Sequence, residues 1–275
     1  MPELPEVETI VQSLRPRILG RKVTDLKIYL PKIIGAAGQG VPENLVGKTL
    51  VNAFRWGKNI ILEFSKGWYA RIHLKMTGQL LVNLPRDPVR KHTHVIFSLD
   101  GGELELRYRD IRQFGYIQIL TAEEWTKWRD GNFVGPDPLE ISFPCFRERL
   151  QSRRGKIKAV LLNQAFLRGL GNIYVDETLH HAGIHPETPA ARLSTEKIQA
   201  LYHTMQSVLQ DAIRHQGSSI RDYVESSGKQ GQYQNQHLVY GRCGLPCRRC
   251  STRIEKIQVA GRSTCFCPRC QRRGG

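Results

Sequence analysis

Four cysteines arranged as two pairs, Cys247-x2-Cys250 and, sixteen residues later, Cys267-x2-Cys270, place the strongest constraint on how this chain folds. Each pair can turn two thiolates toward one tetrahedral ion, and the segment between them is long enough for a β-hairpin. A structural zinc module built on Cys247, Cys250, Cys267 and Cys270 is therefore expected. Thr252–Val259 alternates loosely as a strand, Ala260-Gly261 is a turn, and Arg262–Phe266 returns. Cys243 and Cys265 fall outside the C-x-x-C spacing and are expected not to be ligands, and Cys145 stands alone as a small packed side chain. No secretory signal is legible, so a disulfide framework is not expected. Arg262 sits at the hairpin tip beside a glycine, where the backbone can come close to a phosphate.

The charge points the same way. The chain of 275 residues carries a formal net charge of +16. Residues 240–275 hold nine Lys/Arg and one acid, which is half of that excess in 36 positions. Such a surface selects a polyanionic partner, nucleic acid first. An anionic membrane surface is the weaker reading, because no basic helix shows a clean apolar face and no apolar run approaches a membrane span. A cytoplasmic, nucleoid-associated address follows as an expectation.

The first residues, Met1-Pro2-Glu3-Leu4-Pro5-Glu6, carry candidate chemistry. Removal of Met1 would leave Pro2 with a free secondary amine, a nucleophile that forms an iminium with an electrophilic carbon. An α-amino group titrates near pH ~7.7–8, so a useful fraction is unprotonated at neutral pH. Glu3, next in sequence, puts a carboxyl group within proton-transfer reach.

Organisation reads as two styles of chain. Glu6–Leu14 forms a short helix after Pro5. From Val23 to about Leu120, short apolar or alternating runs recur at Lys58–Phe64, Tyr69–Met76, His94–Leu99, Leu104–Tyr108 and Tyr116–Leu120. Without intervening helices they predict an antiparallel sandwich or barrel. Pro136-Asp137-Pro138 reads as a hinge, and helical periodicity follows at Phe146–Arg153, Ile157–Leu162, Ile173–Ala182 and Thr195–Arg214. Gly169-Leu170-Gly171-Asn172 gives a tight connection with Asn172 placed as an N-cap, and its free N–H groups suit an anion. Ser218–Gln236 is polar, lacks a period, and is expected to be a mobile loop.

These pieces together resemble the formamidopyrimidine-DNA glycosylase family. The landmarks are Pro2–Thr9, Gly57-Lys58, His73-Leu74-Lys75-Met76-Thr77-Gly78, Lys91-His92-Thr93-His94, Asp110-Ile111-Arg112-Gln113-Phe114-Gly115, Gly171-Asn172-Ile173-Tyr174, Val239-Tyr240-Gly241-Arg242 and the four-cysteine finger. The resemblance runs nearly end to end. It implies an α+β, multidomain fold: an N-terminal antiparallel β-sandwich with its N-terminal helix over 1–132, a helix-two-turn-helix DNA-binding region over 133–220, a mobile lesion-capping loop over 221–239, and a zinc finger over 240–275.

The resemblance also implies an activity: a bifunctional glycosylase and lyase that excises oxidised purines, 8-oxoguanine and formamidopyrimidines, from double-stranded DNA. It implies one structural zinc, a monomer and no obligate protein partner. The damaged nucleotide is flipped out. Pro2 attacks C1′, Glu3 is the general acid/base, Glu6 is a supporting carboxylate, Lys58 assists β-elimination and Arg262 δ-elimination. An arginine donates protons poorly, so phosphate anchoring by Arg262 is the role its chemistry favours. Met76, Arg112 and Phe114 match the family's residues that fill the vacated stack. His73, His92, Arg154, Asn172, Tyr240 and Arg262 are expected to hold phosphates. Two alternatives stay open at this level: an endonuclease VIII-type enzyme for oxidised pyrimidines, and a non-catalytic DNA-binding zinc protein.

Overall fold

The structure is a computed structural model that describes residues 1–35, 41–131, 134–220 and 222–273. The chain divides into two compact units, Met1–Phe133 with His215–Gln232, and Val134–Arg214 with Tyr233–Gly275. The expected boundary at 132/133 falls outside the described residues, as does Arg221 at the start of the expected capping loop.

The first unit opens with helix α1, Leu4–Ile18. Leu4, Val7, Val11, Leu14 and Ile18 recur at helical spacing and are all buried, so the helix extends past the expected Glu6–Leu14 at both ends. Among the described residues eight strands follow: β1 (Val23–Ile28), β2 (Leu50–Trp56), β3 (Asn59–Phe64), β4 (Trp68–His73), β5 (Gly78–Asn83), β6 (Thr93–Leu99), β7 (Leu104–Asp110) and β8 (Tyr116–Thr121). They form two antiparallel four-stranded sheets, ordered β1-β6-β7-β5 and β2-β3-β4-β8. One core holds both sheets and α1 together, with Val95, Phe97, Leu106 and Tyr108 from the first sheet and Ile60, Leu62, Ile72 and Ile117 from the second. This is the expected sandwich.

Helix α2, Ala122–Gly131, was not legible as a helix. Its Trp125 packs on Phe54, Trp56 and Tyr69 and covers the outer face of the second sheet. The described residues of the stretch expected to be a mobile loop, Ser218–Gln236, are tied to the sheet and to α1 by hydrogen bonds. Val82 N–H donates to Ser226 O at 2.9 Å, Gln79 Nε2 donates to Asp222 O at 2.6 Å, and Ser226 N–H donates to the Ser13 hydroxyl at 3.2 Å. Tyr223, Glu225 and Ser226 are buried. A polar composition hid the contacts because backbone groups make most of them.

The second unit contains helices α3 (Phe143–Gln151), α4 (Ile157–Leu162), α5 (Asn172–His181) and α6 (Thr195–Arg214), then strands β9 (Glu255–Val259) and β10 (Arg262–Phe266). β9 and β10 pair antiparallel across a turn in which Ala260 (φ 50°) and Gly261 (φ 69°) are left-handed, as a two-residue hairpin turn requires. The cap of α5 is Gly171, in extended geometry, and not Asn172, which is the first helical residue. The Asn172 side chain is used elsewhere.

Candidate active site and nucleic-acid interface

In the first unit, Pro2, Glu3 and Glu6 are all buried. Glu3 N–H donates to Glu6 Oε2 at 2.8 Å, and Ser218 N–H donates to Glu6 Oε1 at 2.8 Å. Glu6 thus uses both oxygens to bind the start of the chain and the returning segment. Gly217 makes this approach feasible: its φ is +77°, and a Cβ there would lie 2.8 Å from Glu6 Oε1. Tyr223 OH donates to Gln216 O at 3.0 Å and closes the same turn.

Lys58 lies in the β2–β3 turn. Arg55, just before it, pairs with Glu8 of α1 at 2.9 Å, with the Arg55 side chain 7% exposed. This ion pair joins the helix that begins at the Pro2 segment to the strand that leads to Lys58. On the far side of the turn, Arg71 Nη1 donates to Asn59 Oδ1 at 3.3 Å and to Tyr116 OH at 3.1 Å. The Arg71 guanidinium lies 4.2 Å from the Trp128 ring centroid.

His73 ends β4 in this basic surrounding. Burial, reinforced by the charges of Lys75, Arg71 and Lys58, lowers its pKa to about 3. Its Nδ1 accepts the Lys75 N–H at 3.0 Å, so the ring proton of the neutral form is on Nε2. His73 can give a phosphate a hydrogen bond but no positive charge. His92 is half-buried at φ 69°, and His94 Nε2 donates to Asp110 O at 2.8 Å.

Met76, Arg112 and Phe114 come together. Phe114 is 55% and Met76 41% exposed, a costly presentation for such side chains without a partner. The Arg112 guanidinium lies 4.7 Å from the Phe114 ring centroid, and its Nη1 lies 2.9 Å from Met76 Sδ. The support is Asp110, which is fully buried. It accepts the Thr77 hydroxyl proton, the Arg112 N–H at 3.2 Å and the Gly115 N–H at 2.8 Å. Asp110 and Thr77 stood among the landmarks, yet neither was given a role from sequence.

In the second unit, the four zinc-spaced cysteines converge, with all ligand atoms within 4.8 Å of one another. Cys247–Cys270, Cys250–Cys267 and Cys250–Cys270 sulfur separations are 3.9, 3.4 and 3.5 Å. Bonds of ~2.3 Å in a tetrahedron require sulfurs about 3.8 Å apart, so the set fits zinc. Arg249 N–H and Cys270 N–H point at Cys247 and Cys267 sulfurs at 3.4 and 3.5 Å. His180, pushed down to about 4 by burial, lies with Nε2 3.5 Å from Cys247 Sγ. Among the described residues its Nδ1 has no hydrogen-bond partner, which favours the tautomer with the proton on Nε2, facing the sulfur. The structure corrects the expectation of no disulfide: Cys243 and Cys265 are bonded to each other. Cys243 and Cys265 pack in the same small core as Val239 and Ile254, and neither belongs to the four-cysteine set.

Helix α5 organises the remaining candidates. Asn172 Nδ2 donates to Ser263 O at 2.8 Å, which fixes the residue after Arg262. Lys158, wholly buried, donates to Asp176 Oδ1 at 2.6 Å, to the Thr264 hydroxyl at 2.6 Å and to Ser263 O at 3.3 Å. Asp176 Oδ2 accepts the Cys265 N–H at 3.3 Å. Next along the helix, Glu177 accepts three backbone N–H groups, from Leu238 at 2.8 Å, Val239 at 3.0 Å and Tyr240 at 2.8 Å. The two neighbouring carboxylates therefore hold the Arg262 strand and the Tyr240 turn. Arg154 and Arg262 are exposed. Sequence reasoning missed Lys158, Asp176 and Glu177: apart from the Lys158–Asp176 pair itself, the partners of their side chains lie 61 to 106 positions away.

Residues 1–117 match the family model of the formamidopyrimidine-DNA glycosylase N-terminal domain, 134–224 that of the formamidopyrimidine-DNA glycosylase H2TH domain, and 244–273 that of the zinc finger found in FPG and IleRS. The chain belongs to the formamidopyrimidine-DNA glycosylase family. The formamidopyrimidine-DNA glycosylase of Heliobacterium modesticaldum is 44% identical over 278 residues, covering 99% of this chain and 100% of that protein. The Geobacillus kaustophilus formamidopyrimidine-DNA glycosylase is 42% identical over 277 residues, covering 99% and 100%. Among solved structures, wild-type Lactococcus lactis Fpg with N7-benzyl-Fapy-dG-containing DNA aligns with a TM-score of 0.91 at 37% identity, covering 99% of this chain and 100% of that one. The same protein with abasic-site DNA aligns at 0.90 and 36%, covering 98% and 100%. The four-cysteine cluster is the zinc finger of this family. No helix among the described residues is long and apolar enough to cross a membrane.

Proposed function

We propose that this chain excises oxidised purines by attack of the Pro2 nitrogen on C1′ of a flipped nucleotide, with strand cleavage through the resulting Schiff base. The chain is a DNA glycosylase of base-excision repair, from a family that carries both glycosylase and AP lyase activity. The observation that carries the Pro2 reading is the Glu3–Glu6–Ser218 hydrogen-bonded set, which fixes the residues around Pro2 in a buried, carboxylate-bearing site. Two carboxylates beside an amine serve a reaction that needs a proton delivered and then removed.

With Met1 removed, the Pro2 amine displaces the base from C1′. Glu3 protonates the sugar as its ring opens. The iminium acidifies the C2′ proton, so the 3′ phosphate eliminates, followed by the 5′ phosphate. Lys58 assists the first elimination. Arg262 binds a phosphate and supports the second. Met76 and Phe114 enter the vacated stack, and Arg112 hydrogen-bonds the orphaned cytosine. His73, His92, Arg154, Asn172 and Tyr240 hold the backbone, and zinc, bound by the four cysteines, shapes the hairpin that carries Arg262. The enzyme acts as a monomer on duplex DNA, in the cytoplasm at the nucleoid.

Borohydride trapping on a duplex with 8-oxoguanine opposite cytosine, followed by mass mapping, tests this reading. An adduct on Pro2 is expected. An adduct on any other residue, or none with a correct N-terminus and a filled zinc site, would overturn it.

A further inference from the structure

The Cys243–Cys265 bond joins two segments that the fold already holds separately. Cys243 lies three residues after Tyr240, just past the 238–240 segment whose N–H groups Glu177 accepts. Cys265 lies three residues after Arg262, on β10, and its N–H donates to Asp176. Their Cα atoms are 5.6 Å apart at a sequence separation of 22. The four-cysteine cluster and the α5 carboxylates also hold these segments, so making or breaking the bond changes how rigidly they are joined and not which fold they take. Its position decides what that rigidity affects: both segments it joins carry a candidate phosphate contact.

The two sulfurs also differ from the four around them. A zinc cluster keeps Cys247, Cys250, Cys267 and Cys270 as coordinated thiolates, whereas Cys243 and Cys265 are left to one another. Cys243 is half-buried and Cys265 is 8% exposed. An incoming thiolate therefore meets the Cys243 sulfur first, and Cys265 leaves as the buried thiolate.

We propose that Cys243 and Cys265 form a reversible oxidation site that tightens the DNA grip of this module when bonded. Peroxide is the oxidant: one thiol gives up its proton and its sulfur attacks a peroxide oxygen, the O–O bond breaks, and the departing hydroxide takes that proton to leave as water. The second thiol then displaces the hydroxyl of the sulfenic acid as another water. The net change is two thiols and one hydrogen peroxide to one disulfide and two waters. A dithiol reductant reverses it, becoming a disulfide as the pair returns to thiols. The inference rests on reading Tyr240 and Arg262 as phosphate contacts.

The test uses the full, zinc-loaded chain and a duplex containing a tetrahydrofuran abasic analogue. Affinity is measured by fluorescence anisotropy after peroxide and after phosphine reduction, with zinc content determined in each state. Peptide mapping of the oxidised protein is expected to show the 243–265 cross-link. Reduction is expected to raise Kd about fivefold by removing preorganisation, with zinc retained. Cys243→Ser and Cys265→Ser are each expected to sit at the reduced value and to ignore both reagents. Equal affinities in the two wild-type states, a missing cross-link, or a redox response that persists in Cys243→Ser would each overturn the proposal. Arg262→Ala and Tyr240→Phe, measured in the oxidised protein, check the underlying reading separately: if neither weakens binding, the contacts were misassigned even where the cross-link forms.

Discussion

The Thr77 hydroxyl donates to the buried carboxylate of Asp110, and this contact locks the loop carrying Met76 to the loop carrying Arg112 and Phe114. The same carboxylate accepts Arg112 N–H and Gly115 N–H. A wedge entering a base stack has to hold its shape against stacking energy, and here the backbone beneath it is pinned at three donors. Asp110→Asn keeps the shape but turns an acceptor-only group into one that also donates. It should destabilise the first unit by about 1–3 kcal/mol in thermal melts. It should also lower insertion, read as the fluorescence of 2-aminopurine placed beside an abasic analogue. Wild-type fluorescence from a folded Asp110→Asn protein would sink the idea that Asp110 supports the wedge.

The candidate phosphate contacts separate by charge. Arg154 and Arg262 are exposed cations, and His73 is a neutral donor because burial and its basic neighbours hold its pKa at about 3. Each phosphate neutralised releases counterions, with a slope of about 0.9 in log K against log salt. Arg154→Ala and Arg262→Ala should each reduce that slope by about 0.9. His73→Gln should weaken binding while leaving the slope unchanged. A His73→Gln slope as much reduced as that of the arginine variants would show that His73 binds DNA as a cation.

The buried histidines make stability fall in acid. Burial lowers His73 to about 3 and His237 to about 4, against ~6.5 for an unfolded histidine. The unfolded chain therefore takes up protons below about pH 6.5 that the folded chain refuses, and unfolding becomes easier as pH drops toward 4. The contribution is complete above the unfolded value and is lost toward the folded ones. Melting temperature should decline between pH 7 and pH 5 in wild type and decline less in His73→Gln. Parallel curves for the two proteins would remove His73 as a source of the effect.

How much of this was legible depended on range. The cysteine spacing gave the ligand set because a C-x-x-C is a local geometry, and β10 fell on Arg262–Phe266 as the alternation indicated. Pro2, Glu3 and Glu6 were legible as neighbours in sequence. The supports were not. Glu177 finds its partners at 238–240, and Lys158 reaches Thr264, so no window along the chain contains both ends. Contacts of the polar stretch after Ser218 were hidden for a related reason: its composition shows no period, yet Tyr223 and Ser226 are buried. Asn172 looked like a helix cap because caps favour asparagine, yet Gly171 takes the capping geometry and frees the amide to hold Ser263.

Lys158 and Asp176 form the most exacting of these long-range supports. Both are essentially inaccessible, with the ammonium 2.6 Å from the carboxylate. Burial pushes Asp176 up to about 7, and the Lys158 charge opposes that rise. Lys158→Met would leave a carboxylate facing the Cys265 N–H with no counter-charge. Breaking one side of such a pair costs about 3–5 kcal/mol, whereas replacing both with apolar groups of similar volume is often close to neutral. Lys158→Met should therefore melt well below wild type, and the double variant Lys158→Met/Asp176→Leu should recover most of the loss. Because Ser263 and Thr264 lose their buried donor in both variants, affinity for an abasic-analogue duplex should stay weakened even where the melting temperature returns. Recovery of both properties together would mean that the pair serves stability alone, with no part in setting the strand that carries Arg262.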